Sequence, residues 1–165
     1  MKPNSDSRSD PGIPAGAVER ACGHARQLFL RDDNRYGCAE TVYMTLKRLY
    51  GLADADNSDP AIALNGGVAH TGGMCGALLG AALALGQRQK QLTPDHRQAK
   101  SEARTAVRVL LERFEREFQS CTCRDLTGFN IADADEHRRF IESGIWRTRC
   151  MQQIEYVVKS LCPPG

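Results

Sequence analysis

The chain has 165 residues, 41% of them hydrophobic and 25% charged, with a formal net charge of +2. That length suffices for one domain with a sizeable core, and so small a charge gives no reason to expect a polyanionic partner. The basic groups Arg88-Gln89-Lys90 and Arg138-Arg139 sit among acidic or uncharged polar residues, the pattern of a solvated helix face and not of a nucleic-acid footprint.

Residues 1–16, MKPNSDSRSDPGIPAG, carry an early lysine with no apolar run behind it. No Sec-type signal peptide is expected, and the Pro, Gly, Ser and Asp content reads as a disordered tail. From Ala17 onward the periodicity is helical. Val18, Cys22, Ala25 and Phe29 form one stripe of a first helix ending near Arg31. After a polar break, Gly37 precedes a second helix in which Cys38, Val42, Thr45, Leu46 and Leu49 recur until Gly51. Pro60 starts a short helix carrying Ile62 and Leu64.

Gly66, Gly67, Gly72 and Gly73 then flank His70 and Thr71, a backbone unsuited to regular structure. An apolar helix is expected from about Met74 to Leu85, closed by Gly86. Its apolar run is shorter than the roughly 20 residues of a spanning helix, so no membrane insertion is expected. Thr93-Pro94-Asp95 reads as a helix start, with cap, first-turn proline and an acid at the positive dipole end. A long amphipathic helix follows, from Ala99 to Phe118. QSCTCRDLTGFN reads as a break and IADADEHRRFIESG as a short helix or turn. A last helix spans Ile145 to Leu161, with Trp146, Cys150, Ile154, Val157 and Leu161 on one face. With no sustained period-two segment, the expected fold is all-α: a compact single-domain bundle of about five to seven helices over residues 17–162.

The seven cysteines are the unusual content. An odd number without an export signal points to a reducing cytoplasm and to thiol or metal chemistry, not a disulfide framework. Cys38 and Cys75 each stand at a helix start, where backbone N–H groups and the dipole are expected to lower a thiol's pKa. Taken singly, each reads first as a small apolar packing residue. Cys121 and Cys123 form a C-x-C that could chelate a soft metal, with Arg124 beside it to favour the thiolate. Cys150 lies on the apolar stripe of the last helix, Cys22 reads as packing, and Cys162 as incidental. The four histidines form no helical metal pair, and the chain lacks C-x2-4-C zinc knuckles. His70, in its glycine-rich loop, is a second-shell or base candidate, although its setting favours a solvent-exposed loop histidine. NGGVAHTGG lacks the Lys-Ser/Thr ending of a phosphate loop.

The order YGCAETV, CGALLG, CRDLTGF and RTRCMQQIEYV resembles the C_GCAxxG_C_C family of small helical, redox-active proteins with four cysteines. The likeness runs from about Ala21 to Leu161. Gly76 stands between Cys75 and Ala77, whereas the family's name has alanine directly after its cysteine. The resemblance implies a shared centre of Cys38, Cys75, Cys123 and Cys150, with Gly76 and Gly80 giving close backbone approach. It leaves two chemistries open. One is thiol-disulfide exchange or redox sensing, the work of a thiol-dependent oxidoreductase acting on a redox partner protein or small thiol. The other is an iron–sulfur cluster, or another metal, held by the same four thiolates. A non-catalytic helical interaction module is a third reading, and the oligomeric state stays open.

Overall fold

The computed structural model describes residues 16–162; the tail expected over 1–16 lies, but for Gly16, outside the described residues. Helices α1 (Ala17–Phe29) and α2 (Cys38–Leu49) are followed by a 3-10 turn, Asp59–Leu64. Then come α3 (Gly76–Leu92), α4 (His96–Phe118), α5 (Cys123–Thr127) and α6 (Ala134–Glu142). A second 3-10 turn, Ile145–Arg147, leads into α7 (Arg149–Leu161). The all-α expectation holds: among the described residues the one β-like feature is an isolated antiparallel pairing of Met74 with Thr122.

Helix α2 is the axis of the bundle. Residues 39–47 are all buried, because α1, α3 and α7 pack around it while α4 covers the far side of α3. Ala39, Val42, Leu46, Ala77, Ala81, Phe114, Ile154 and Val157 form the centre of the core. Small residues let α3 lie tightly on α2: a Cβ built at Gly80 would stand 2.2 Å from the Ala39 carbonyl oxygen. Burying a lysine in such a helix requires partners. Lys47 Nζ finds the carbonyls of Asp54 and Asn57 and stands 4.7 Å from the Tyr43 ring centroid.

Three sequence expectations are corrected. Helix α3 does not close at Gly86 but runs to Leu92. Gly86 is exposed with open space around it, and one glycine costs only about 1 kcal/mol in a helix that continues through Gln87, Arg88, Gln89 and Lys90. Helix α4 starts two residues later than expected: Asp95 is itself the cap, its carboxylate accepting from Gln98 N–H at 2.7 Å, and Pro94 precedes it. Inside the expected break, Cys123–Thr127 is a short helix with Thr122 as its cap.

Candidate functional site

The first turn of α2 is fixed from outside the helix. Glu40 accepts from Gly37 N–H at 2.9 Å, Asn65 Nδ2 at 2.8 Å and the Ser58 hydroxyl at 2.9 Å. The same Asn65 accepts the Ala39 N–H at 3.0 Å. The residue after the Asp59–Leu64 turn thus satisfies an otherwise orphaned helix donor and holds a half-buried carboxylate network. Cys38, the first residue of α2, is positioned by this clamp.

Beyond Asn65 the chain makes an unusual turn. Gly66, Gly67, Val68, Ala69 and His70 are consecutive residues in the left-handed region, with φ of 63, 76, 65, 50 and 61°. Such a conformation costs of order 1–3 kcal/mol for each non-glycine residue, most for β-branched Val68. Ala69 N–H to Ala63 O (2.8 Å), Gly72 N–H to Gly66 O (3.0 Å) and Gly73 N–H to Gly67 O (3.1 Å) hold it in place. The segment then pairs with the C-x-C strand-like stretch: Cys75 N–H donates to Cys121 O at 2.7 Å and Cys123 N–H to Gly73 O at 2.6 Å. This pairing sets Cys75, the cap of α3, beside Cys123, the first residue of α5.

Cys38, Cys123 and Cys150 line one cavity of about 290 Å3 together with Asn65, His70 and His137. Its apolar walls are Phe29, Ile131, Phe140, Ile141 and Trp146. Cys75 lies behind that lining, buried, with its sulfur 3.9 Å from Gln153 Oε1. Gly76 explains how the thiols approach: a Cβ there would stand 2.4 Å from Cys38 Sγ. Gly80 packs on α2 and does not line the cavity.

The sequence expectation of depressed thiol pKa values is overturned. Burial pushes all four thiols up, and Cys75, Cys123 and Cys150 rise further because a neighbouring thiolate would repel theirs. Cys123 is pushed up to about 12, first by burial and then by Cys38. The helix-start effect is present but smaller. Backbone N–H groups of Gly66, Ala39, Cys38 and Gly76 oppose burial at the Cys38 sulfur. Cys75 has one such donor, Ala77 N–H, and none acts at Cys123 or Cys150.

The remaining cysteines lie elsewhere. Cys22 and Cys162 pack together with Ala21 and Val158 between α1 and the end of α7, so Cys162 is a buried packing residue and not an incidental one. Cys121 is half-buried, its sulfur 3.9 Å from Leu111 O. All seven are free thiols. His70 is on the cavity, and its ring meets His137 edge-to-face at 4.9 Å. Sequence reasoning missed His137, Asn65 and Trp146; only Asn65, directly before a Gly-Gly pair, carried a turn signal. Among the described residues no three His, Cys, Asp or Glu side chains are grouped to hold an ion. Nor is any described helix long and apolar enough to cross a membrane.

The bundle sets Cys38, Cys123 and Cys150 of three helices on one cavity, with Cys75, the cap of a fourth, behind them. The chain belongs to the family described as Putative redox-active protein (C_GCAxxG_C_C), whose model matches residues 36–162. Where the family's name reads Gly-Cys-Ala, this chain reads Cys75-Gly76-Ala77, placing the thiol on the cap of α3 instead of its first residue. No curated protein and no solved structure matches the chain.

Proposed function

We propose that residues 17–162 form one thiol redox domain in which Cys38 is the attacking sulfur. The observation that carries this is the place of Cys38 at the first turn of α2, on the cavity lining and less buried than Cys75 and Cys123; burial raises its thiol pKa, and nearby backbone N–H groups, among them those of Gly66 and Ala39, offset part of that rise. They stabilise a developing thiolate without adding a charged residue, as fixed dipoles do at a helix start. The Cys38 thiolate attacks a disulfide R–S–S–R, forming Cys38–S–S–R and releasing RS−. A second cysteine, Cys123 or Cys150 on the same cavity, then attacks the Cys38 sulfur, forming an internal disulfide and releasing the second RS−. Two protein thiols are oxidised, one disulfide is reduced to two thiols, and the two thiol protons pass to the released groups. Cys75, buried behind them, is the fourth member of the centre. His70, an exposed residue overall that lines the same cavity, is the proton acceptor, its pKa lowered by burial of the ring and then by His137. A reducing cytoplasm is the compartment that suits seven free thiols.

The test uses 2-hydroxyethyl disulfide, a small uncharged substrate, on anaerobically purified protein. Cys38→Ser is expected to abolish exchange. Cys123→Ser combined with Cys150→Ser is expected to accumulate a mixed disulfide on Cys38. Full exchange by Cys38→Ser overturns the assignment of the nucleophile. Stoichiometric iron and sulfide with broad visible absorption would replace the dithiol reading by the cluster.

A further inference from the structure

Helix α3 closes the back of the Cys38 sulfur, since a Cβ at Gly76 would stand 2.4 Å from it. A group bonded to that sulfur therefore projects into the cavity that Cys38 lines with Cys123 and Cys150. Among the described residues no Asp, Glu, Lys or Arg lines this space, and its titratable side chains besides the thiols are His70 and His137. The Asn65 amide is already engaged: its oxygen accepts from Ala39 N–H, and its nitrogen donates to Glu40 and to the Ile62 carbonyl. Most of the remaining wall is apolar, made by Phe29, Ile131, Phe140, Ile141 and Trp146. Arg147 stacks on the Trp146 ring at 4.4 Å but does not line the cavity. A charge moved from water to such walls finds no partner and is strongly disfavoured, whereas an alkyl group gains by the same move. The volume of about 290 Å3 stands at the lower end of the range for small-molecule sites.

Resting on the thiol redox reading above, we propose that the Cys38 centre selects small disulfides with uncharged, apolar flanking groups, discriminates against charged ones of either sign, and has Ile141 as a specificity-determining position. Cys38 attacks R–S–S–R, forms Cys38–S–S–R and releases RS−, and the retained R group is seated against the apolar wall. Attack by Cys123 or Cys150 on the Cys38 sulfur then releases the second RS−. Two protein thiols become one disulfide, the substrate becomes two thiols, and the two thiol protons pass to them. The penalty on charge falls on the first step, where R enters the cavity. Desolvation acts on both signs alike and is not screened by salt. That separates it from the field of surface charges such as Arg147, which favours one sign and fades as salt rises. The preference is one of rate: a charged oxidant such as glutathione disulfide equilibrates more slowly with the same thiols but reaches the same end point.

The test uses the full chain at about pH 7.5, above the ordinary histidine range, and four disulfides built on one –CH2–CH2–S–S–CH2–CH2– core. Diethyl disulfide and 2-hydroxyethyl disulfide are uncharged, cystamine is a dication and 3,3′-dithiodipropionate a dianion. Each rate of protein thiol loss is divided by the rate of 2-mercaptoethanol with the same disulfide, which removes differences between leaving groups. Both charged disulfides are expected to be at least about tenfold slower than the uncharged pair, at low and high salt alike. Ile141 is an exposed residue of α6 on the cavity lining, so the fold tolerates a charge there. Relative to Ile141→Gln, Ile141→Lys is expected to speed dithiodipropionate and slow cystamine about threefold or more, and Ile141→Glu to do the reverse. Equal corrected rates for all four disulfides, or discrimination against one sign only that disappears in salt, overturns the specificity and leaves thiol exchange standing. The absence of opposite shifts in the Lys and Glu variants overturns the part given to Ile141. If none of the four disulfides consumes thiols in protein that is folded by circular dichroism, the redox reading itself falls.

Discussion

Replacing Gly80 by alanine places a methyl carbon 2.2 Å from the Ala39 carbonyl oxygen and 3.0 Å from the Ala39 carbonyl carbon. Ordinary contact needs more than an ångström of additional separation, and the obstacle is backbone of the central helix, not a rotatable side chain. Six residues along the same helix, Gly86 has no neighbour within 4 Å and is exposed. Both substitutions remove a helix-interior glycine, which by itself stabilises by about 1 kcal/mol. That gain cancels in the comparison, leaving the packing term alone, about 1–3 kcal/mol for forced overpacking. Gly86→Ala is therefore expected to raise stability by up to about 1 kcal/mol, and Gly80→Ala to lie about 1–3 kcal/mol below it. Urea unfolding followed by circular dichroism, with equal slopes in both variants, measures the difference. If Gly80→Ala gains as much as Gly86→Ala, α2 and α3 do not meet as described, and the approach that sets Gly76 against Cys38 fails with them.

Asn65→Ala removes the acceptor for Ala39 N–H and a donor to Glu40. It should cost about 2 kcal/mol and slow the reaction of Cys38 with 2-hydroxyethyl disulfide, read in paired unfolding and thiol-trapping experiments. Burial holds the Cys123 thiol protonated up to about pH 12, whereas the unfolded thiol ionises near 9.0. Its contribution is thus complete below pH 9 and lost as pH rises towards 12; Cys123→Ala should flatten that alkaline decline by about 1.4 kcal/mol per pH unit. Unchanged alkaline slopes would show that Cys123 is not buried as a neutral thiol. Cys22→Ala with Cys162→Ala opens the cluster between α1 and α7 and should cost about 1–2 kcal/mol. Exchange kinetics should stay at the wild-type level, because these two thiols lie away from the cavity.

The helical stripes were legible because each repeats at 3.6 residues against a polar face, and the four-cysteine pattern named three thiols that share a cavity, from α2, α5 and α7, together with Cys75 at the cap of α3. Gly76 and Gly80 were legible as points of close approach, since a glycine beside cysteines in an apolar helix leaves few other reasons for lacking a Cβ. What escaped was set by tertiary context. Gly86 looked like a stop because isolated glycine is a strong local signal, yet the polar residues after it continue the helix. The short helix at Cys123 is too brief for periodicity, although Thr122 and Asp125 carry a cap signature. Five left-handed residues in a row, three of them not glycine, have no sequence signature. The pKa expectation failed because a helix start is local whereas burial is not, and burial dominates for all four thiols. His137 and Trp146 reach the cavity only through the path of the chain between α5 and α7.

The most direct test of the Cys38 centre is disulfide mapping after equilibration across a series of glutathione redox buffers, with acid trapping and mass spectrometry. The account predicts a single two-electron transition whose oxidised form links Cys38 to Cys123 or Cys150, leaving Cys22 and Cys162 reduced, and which vanishes in Cys38→Ser. An oxidised form that excludes Cys38, or four thiols that stay reduced in every buffer, would contradict it.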